Sequence, residues 1–132
     1  MASYPRPAMR ARRTVIALAC LAAAHGAMAQ AAFPRGTLLF LRCASCHDIS
    51  QTASPKIGPN LAGVIGRRAG SLPGYAYSPA MKAQTFLWDD ASLDRWLTKP
   101  SAVVPGTAMA FAGVESAADR QAIIDYLRTV AK

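Results

Sequence analysis

Apolar positions recur at helical spacing in three places along the chain and at strand spacing in none. Leu39, Phe40 and Cys43 fall on one face of a run from Gly36 to Arg42. Pro34 suits the first turn there, since its fixed φ and missing N–H cost nothing at that position. Leu93, Trp96 and Leu97 share a face of a helix over Ala91 to Lys99, which Asp89 or Asp90 caps and Pro100 ends. Ile123, Tyr126, Leu127 and Val130 line the last helix, opened by Ser116 and Asp119 in a capping-box arrangement with Asp in place of the usual Glu. Leu61 to Ile65 allows one helical turn, and Ser78 to Ala83 reads as another short helix. Asp48 to Pro59, Arg67 to Tyr77 and the stretch carrying Pro105, Gly106 and Met109 read as loops. The pattern predicts an all-α domain with helices at both ends and long loops between them. Gly36 is open to two readings, a helix start that tolerates glycine or a site where a second helix crosses closely, because glycine inside a helix costs about 1 kcal/mol relative to alanine.

The first 29 residues stand apart from this pattern. Met1 to Arg13 carries Arg6, Arg10, Arg12 and Arg13 without an acid, Thr14 to Ala24 is apolar, and Ala27-Met28-Ala29 fits the small-x-small cleavage pattern of a secretory signal peptide. Cleavage after Ala29 makes residues 1–29 the leader and 30–132 the mature domain; cleavage after Ala31 is the runner-up. The apolar run is shorter than the roughly 20 residues that span a bilayer, which argues against a membrane anchor. Arg12-Arg13 resembles a twin-arginine signal, but the twin-arginine route carries folded proteins, and the general secretory route is preferred. Leu18-Ala19-Cys20 is a poor match to a lipoprotein site and leaves lipid anchoring at Cys20 as a minor alternative.

Removing the leader changes the charge and the cysteine count. The chain has 132 residues and a net charge of +8, with 15 basic and 7 acidic residues. Four of the basic residues lie in the leader, so the mature domain carries 11 against 7 acids, a charge of +4. That surplus does not suggest nucleic-acid binding. Of the three cysteines only Cys43 and Cys46 remain, and a domain this short is hard to stabilise from side chains alone.

Those two cysteines belong to Cys43-Ala44-Ser45-Cys46-His47, the attachment sequence for c-type haem. The thiols add across the two porphyrin vinyl groups, and the adjacent His47 is held beneath the iron. A structural zinc site needs four N or S ligands, and Cys43, Cys46 and His47 are the only Cys and His residues of the mature chain. A redox dithiol would sit between a strand and a helix, whereas the residues before Cys43 read as a helix. One covalent haem is therefore expected, with no disulfide.

The order of further strings resembles class I cytochrome c, and the mitochondrial type more closely than the shorter bacterial ones. The resemblance covers nearly the whole mature chain: the haem motif, Gly58-Pro59-Asn60-Leu61, Gly66-Arg67, Gly74-Tyr75-Ala76-Tyr77, Trp88, Pro105-Gly106-Thr107-Ala108-Met109-Ala110-Phe111 and Tyr126-Leu127. It implies terminal helices that cross at Gly36, Phe40 and Tyr126, with helices and long loops wrapped around one haem. It also implies Met109 as the second axial ligand to His47, and a Pro59 carbonyl that accepts from the other ring nitrogen of His47. Arg67, Tyr77 and Trp88 match positions that hold the haem propionates; Trp96 replaces a tyrosine near the distal methionine, and Thr107 matches a hydrogen-bonding neighbour there. Met81 and Pro55 depart from the family's asparagine and loop histidine, so the polar network beneath the haem should be altered. Ser101, Ala102 and Ala108 replace lysines that face partners, while Arg42 and Lys56 keep their charge.

What this implies is a periplasmic electron-transfer protein, a mono-haem cytochrome cycling between Fe(III) and Fe(II) and not an enzyme in its own right. Its partners are redox proteins of unspecified identity, with no stable membrane insertion, and the chain is a monomer or a subunit of a redox complex. The alternative is a haem c subunit permanently docked to a periplasmic dehydrogenase or oxidase. A haem sensor or peroxidase needs an open distal position, against which Met109 argues.

Overall fold

The computed structural model describes residues 34–130. The leader, its cleavage site and Cys20 lie outside the described residues. Five helices follow one another: α1 (Arg35–Ala44), α2 (Pro79–Lys82), α3 (Asp90–Thr98), α4 (Pro100–Val103) and α5 (Ala117–Val130). Among the described residues the only β pairing is an isolated antiparallel bridge between Arg68 and Leu87. The all-α reading therefore stands.

Each end of α3 has a local cause. Asp89 Oδ1 accepts from the Ser92 N–H at 2.7 Å while Ser92 Oγ accepts from the Asp89 N–H at 2.8 Å, a reciprocal cap. Pro100 ends α3, as the sequence indicates, and then serves as the first residue of α4, a short helix the periodicity did not reveal. Ser78 caps α2 through a bond from the Met81 N–H at 3.2 Å. Leu61 to Ile65 forms turns instead of the helical turn its composition allows. The reason is Gly63 and Gly66, which bend the backbone to φ values of 64° and 79°.

The reciprocal box expected at the start of α5 is only half made. Ser116 Oγ accepts from the Asp119 N–H at 3.2 Å, but the Asp119 carboxylate reaches across to Arg35 and accepts from its Nε at 2.6 Å. That ion pair joins the first turns of the two terminal helices. Below it Gly36 faces α5 so closely that a Cβ there would sit 2.7 Å from Tyr126 Cβ and closer still to the Ala122 carbonyl oxygen. The close-crossing reading of Gly36 is correct. Phe40 and Tyr126 then stack at 5.2 Å between ring centroids, tilted by 46°.

α3 packs on the other side of α5, and Leu93, Trp96 and Leu97 meet Ile123, Ile124 and Leu127 in the buried core. Ile124, absent from the expected apolar face, is fully buried. Arg120 locks the corner: its Nε donates to Asp94 Oδ1 at 2.7 Å and its Nη1 to the carbonyls of Val114 and Glu115. The three larger helices thus form a frame from which the 45–78 and 104–116 segments extend, and these segments carry most of the site.

Candidate haem-binding site

α1 delivers the two thiols. Cys43 is in its last turn, half-buried, and Cys46 lies just past its end, exposed. Burial raises the Cys43 thiol above its ordinary value, opposed by Arg42 and reinforced by Cys46. The turn that follows is closed by the N–H groups of Cys46 and His47, which both donate to the Cys43 carbonyl, at 3.0 and 2.8 Å. His47 is thereby turned inward and is 9% exposed.

The ring of His47 is held from the 56–59 segment. Its Nδ1 donates to the Pro59 carbonyl at 2.7 Å, so the tautomer with the proton on Nδ1 is fixed. Nε2 is left without a hydrogen bond among the described residues. Gly58 lies flat against the ring: a Cβ would meet His47 Cε1 at 2.6 Å and Nδ1 at 2.7 Å. Its own N–H donates to the Cys46 carbonyl at 2.8 Å. Burial holds the imidazole below its ordinary value; the Pro59 carbonyl acts the other way and Lys56 adds to the lowering. The family string carries both Gly58 and Pro59, but the resemblance gave only Pro59 a contact with the ring.

Arg67 lies beside both Tyr77 and Trp88. Trp88 donates its backbone N–H to the Arg67 carbonyl at 2.9 Å, and the Gly66 N–H donates to the Trp88 carbonyl at 2.9 Å. The Arg67 guanidinium is half-buried and donates to the carbonyls of Ala62 at 2.8 Å and Asn60 at 3.0 Å. Burial lowers its proton affinity, and the nearby Tyr77 opposes this. Tyr77 is itself raised by burial and pulled back by Arg67. Trp88 packs edge-on against Phe86 at 4.9 Å and against Trp96 at 5.2 Å. Both indoles are largely buried, and neither indole N–H meets an acceptor among the described residues.

On the 104–116 segment, Thr107 Oγ1 accepts from the Met109 N–H at 3.2 Å, and the Thr107 N–H donates to the Val104 carbonyl at 3.0 Å. Gly106, with φ of 86°, makes the reversal possible. Met109 is half-buried and packs against the main core cluster. Met81 is 7% exposed and belongs to that core. Pro55 is exposed on the 48–60 loop. That loop is tied to the 70–77 loop by the Tyr75 hydroxyl, which donates to the Ile57 carbonyl at 2.8 Å, a contact the sequence did not announce.

Residues 33–131 match the family model described as Cytochrome c. The chain is 45% identical over 95 residues to cytochrome c2 of Rhodomicrobium vannielii, covering 72% of this chain and 76% of that protein. It is 42% identical over 106 residues to cytochrome c of Gibberella zeae, covering 80% of this chain and the whole of that protein. Cytochrome cH from Methylobacterium extorquens superposes with a TM-score of 0.68 at 40% identity, covering 72% of this chain and 95% of that one. The residues present fit a haem c. Two unpaired thiols stand at the end of a helix, an imidazole nitrogen carries no hydrogen bond, and a glycine leaves room for the ring. Haem c is held covalently through Cys43 and Cys46, and this chain belongs to the cytochrome c family of mono-haem electron-transfer proteins.

Proposed function

We propose that the chain is a periplasmic electron carrier whose haem iron is bound on one side by His47 Nε2 and on the other by the thioether of Met109. The hydrogen bond from His47 Nδ1 to the Pro59 carbonyl at 2.7 Å carries this reading. It commits one ring nitrogen to the protein and leaves the other free to bind a metal, the usual arrangement for a ligating histidine. Bound haem supplies a one-electron Fe(III)/Fe(II) couple. The chain's residues would do the rest: His47 and Met109 would hold the iron, and a His/Met pair raises the reduction potential.

Arg67, Tyr77 and Trp88 would compensate the propionate charge, a reading supported by the half-buried Arg67 cation and by a Trp88 indole N–H that has no acceptor among the described residues. Trp96, Met81 and Val104 are all buried, and apolar surroundings of this kind would exclude water from the couple. With both axial positions taken by protein, no site is left for a substrate, so the chain is a carrier and not an enzyme. Residues 1–29 direct export, and no helix among the described residues is long and apolar enough to cross a membrane. The test is the absorption spectrum of the oxidised protein. The weak long-wavelength band of sulfur bound to ferric haem is expected; a high-spin spectrum without it would overturn Met109 as a ligand.

A further inference from the structure

Lys56 stands apart from the other basic residues. An ammonium group has three protons to donate, and here three acceptors surround it: the Ala44 carbonyl at 2.7 Å, the His47 carbonyl at 3.2 Å and Asp48 Oδ2 at 3.4 Å. Ala44 closes α1, so its carbonyl is one of those a helix leaves unpaired, at the negative end of the helix dipole. The same residue lies between the two haem-bearing cysteines. Two positions on, the Gly58 N–H donates to the Cys46 carbonyl, and after that the Pro59 carbonyl takes the His47 ring proton. Residues 56, 58 and 59 therefore grip residues 44, 46 and 47 in succession, and Lys56 is the one contact in this clamp that carries charge.

We propose that Lys56 is a positioning residue of the haem turn that also sets the field at the iron, holding the backbone of His47 while its positive charge favours the ferrous state. The proposal rests on His47 being the axial ligand. A cation close to the couple opposes the extra positive charge of the ferric state, and Asp48, its partner, works in the opposite sense. Lys56 is partly exposed, with 35% of its side chain accessible, so solvent and Asp48 reduce the effect without cancelling it.

The test is the midpoint potential of the holoprotein, native and with Lys56→Met, Lys56→Arg or Asp48→Asn. Lys56→Met is expected to shift the ferric-to-ferrous ratio at a fixed electrode potential about three- to tenfold toward ferric, tenfold being about 59 mV for one electron. Lys56→Arg should restore most of the native ratio. Asp48→Asn, which keeps an oxygen to accept from the N–H groups of Ile49 and Ser50, should shift the ratio toward ferrous. A purely structural role would lower the melting temperature of Lys56→Met and leave its potential native, and that result overturns the proposal. So does a shift of Asp48→Asn in the same direction as Lys56→Met. If Lys56→Met fails to accumulate with haem, Lys56→Arg and Asp48→Asn decide the matter by the same signs. Strongly shifted ring-proton resonances of His47 in the ferric native protein test the ligand assignment separately, whatever the variants do.

Discussion

Alanine in place of Gly58 tests whether the backbone shapes the setting of His47, the proposed iron ligand. The new Cβ would sit 2.6 Å from His47 Cε1, 2.7 Å from Nδ1 and 2.9 Å from the Cys46 carbonyl oxygen. Non-bonded carbons sit comfortably at about 3.5–4.0 Å, so the ring or the loop must give way by about 1 Å. Neither neighbour moves freely. The ring is tied to Pro59 at 2.7 Å, and the Cys46 carbonyl accepts the N–H of Gly58 itself at 2.8 Å. A displacement of about 1 Å takes either bond past the range of a good hydrogen bond, a loss of about 0.5–1.5 kcal/mol. Overpacking adds about 1–3 kcal/mol. The sum, about 1.5–4.5 kcal/mol, corresponds to a fall in Tm on the order of 6–36 °C at about 4–8 °C per kcal/mol for a domain of this size.

The potential should move too. An imidazole that loses its Nδ1 hydrogen bond is a poorer donor, which disfavours ferric iron and raises the midpoint potential. Gly36→Ala is the control: its Cβ strains the α1–α5 crossing against Tyr126 and Ala122 but touches nothing near His47. Both variants should melt earlier in a thermal scan of the holoprotein, and only Gly58→Ala should change the voltammogram. A Gly58→Ala protein with native potential and a melting point within a few degrees of the parent would refute the reasoning.

Met109→Ala is expected to lower the midpoint potential and to let cyanide bind readily, followed by absorption titration; native potential and cyanide affinity would make Met109 a core residue only. Ser101, Ala102 and Ala108 are all exposed, so the cationic ring is thin there, and stopped-flow electron transfer with the native partner should slow only gently as salt is raised. Ala108→Lys should steepen that dependence toward an acidic partner; a fall of several orders of magnitude for the parent protein would show that the remaining basic residues dominate. The N–H of Ser92 holds the Asp89 carboxyl below its ordinary value of 3.8, helped by the Ser92 hydroxyl. A depressed folded-state value means the cap stabilises α3 fully above the ordinary value of 3.8 and is lost as pH falls below that and through the lower folded-state value. Asp89→Ala should therefore melt lower than the parent near neutral pH, with the difference narrowing in acid, as read by thermal scans across a pH series.

The haem turn, the three long helices and the identity of the family were legible in the chain because each rests on local chemistry. Two thiols three apart followed by histidine have one common use, an amphipathic period declares a helix, and a proline stops one. Gly36 was open to two readings from the residues alone, and the family resemblance pointed to the close crossing that the structure has. What failed or went unseen depended on neighbours distant in sequence. Asp119 reads as a reciprocal cap, yet Arg35, 84 positions away, takes its carboxylate, because an ion pair between helix ends outcompetes a local bond. Leu61 to Ile65 is apolar enough for a helical turn, but positive-φ glycines at 63 and 66 let the chain bend toward Trp88. Gly58 was legible only as part of a family string and Lys56 only as a retained partner-facing charge. Their roles exist only once folding lays the 56–59 segment across the end of α1, where a missing side chain makes room for a ring and one ammonium meets three oxygens that no sequence pattern brings together.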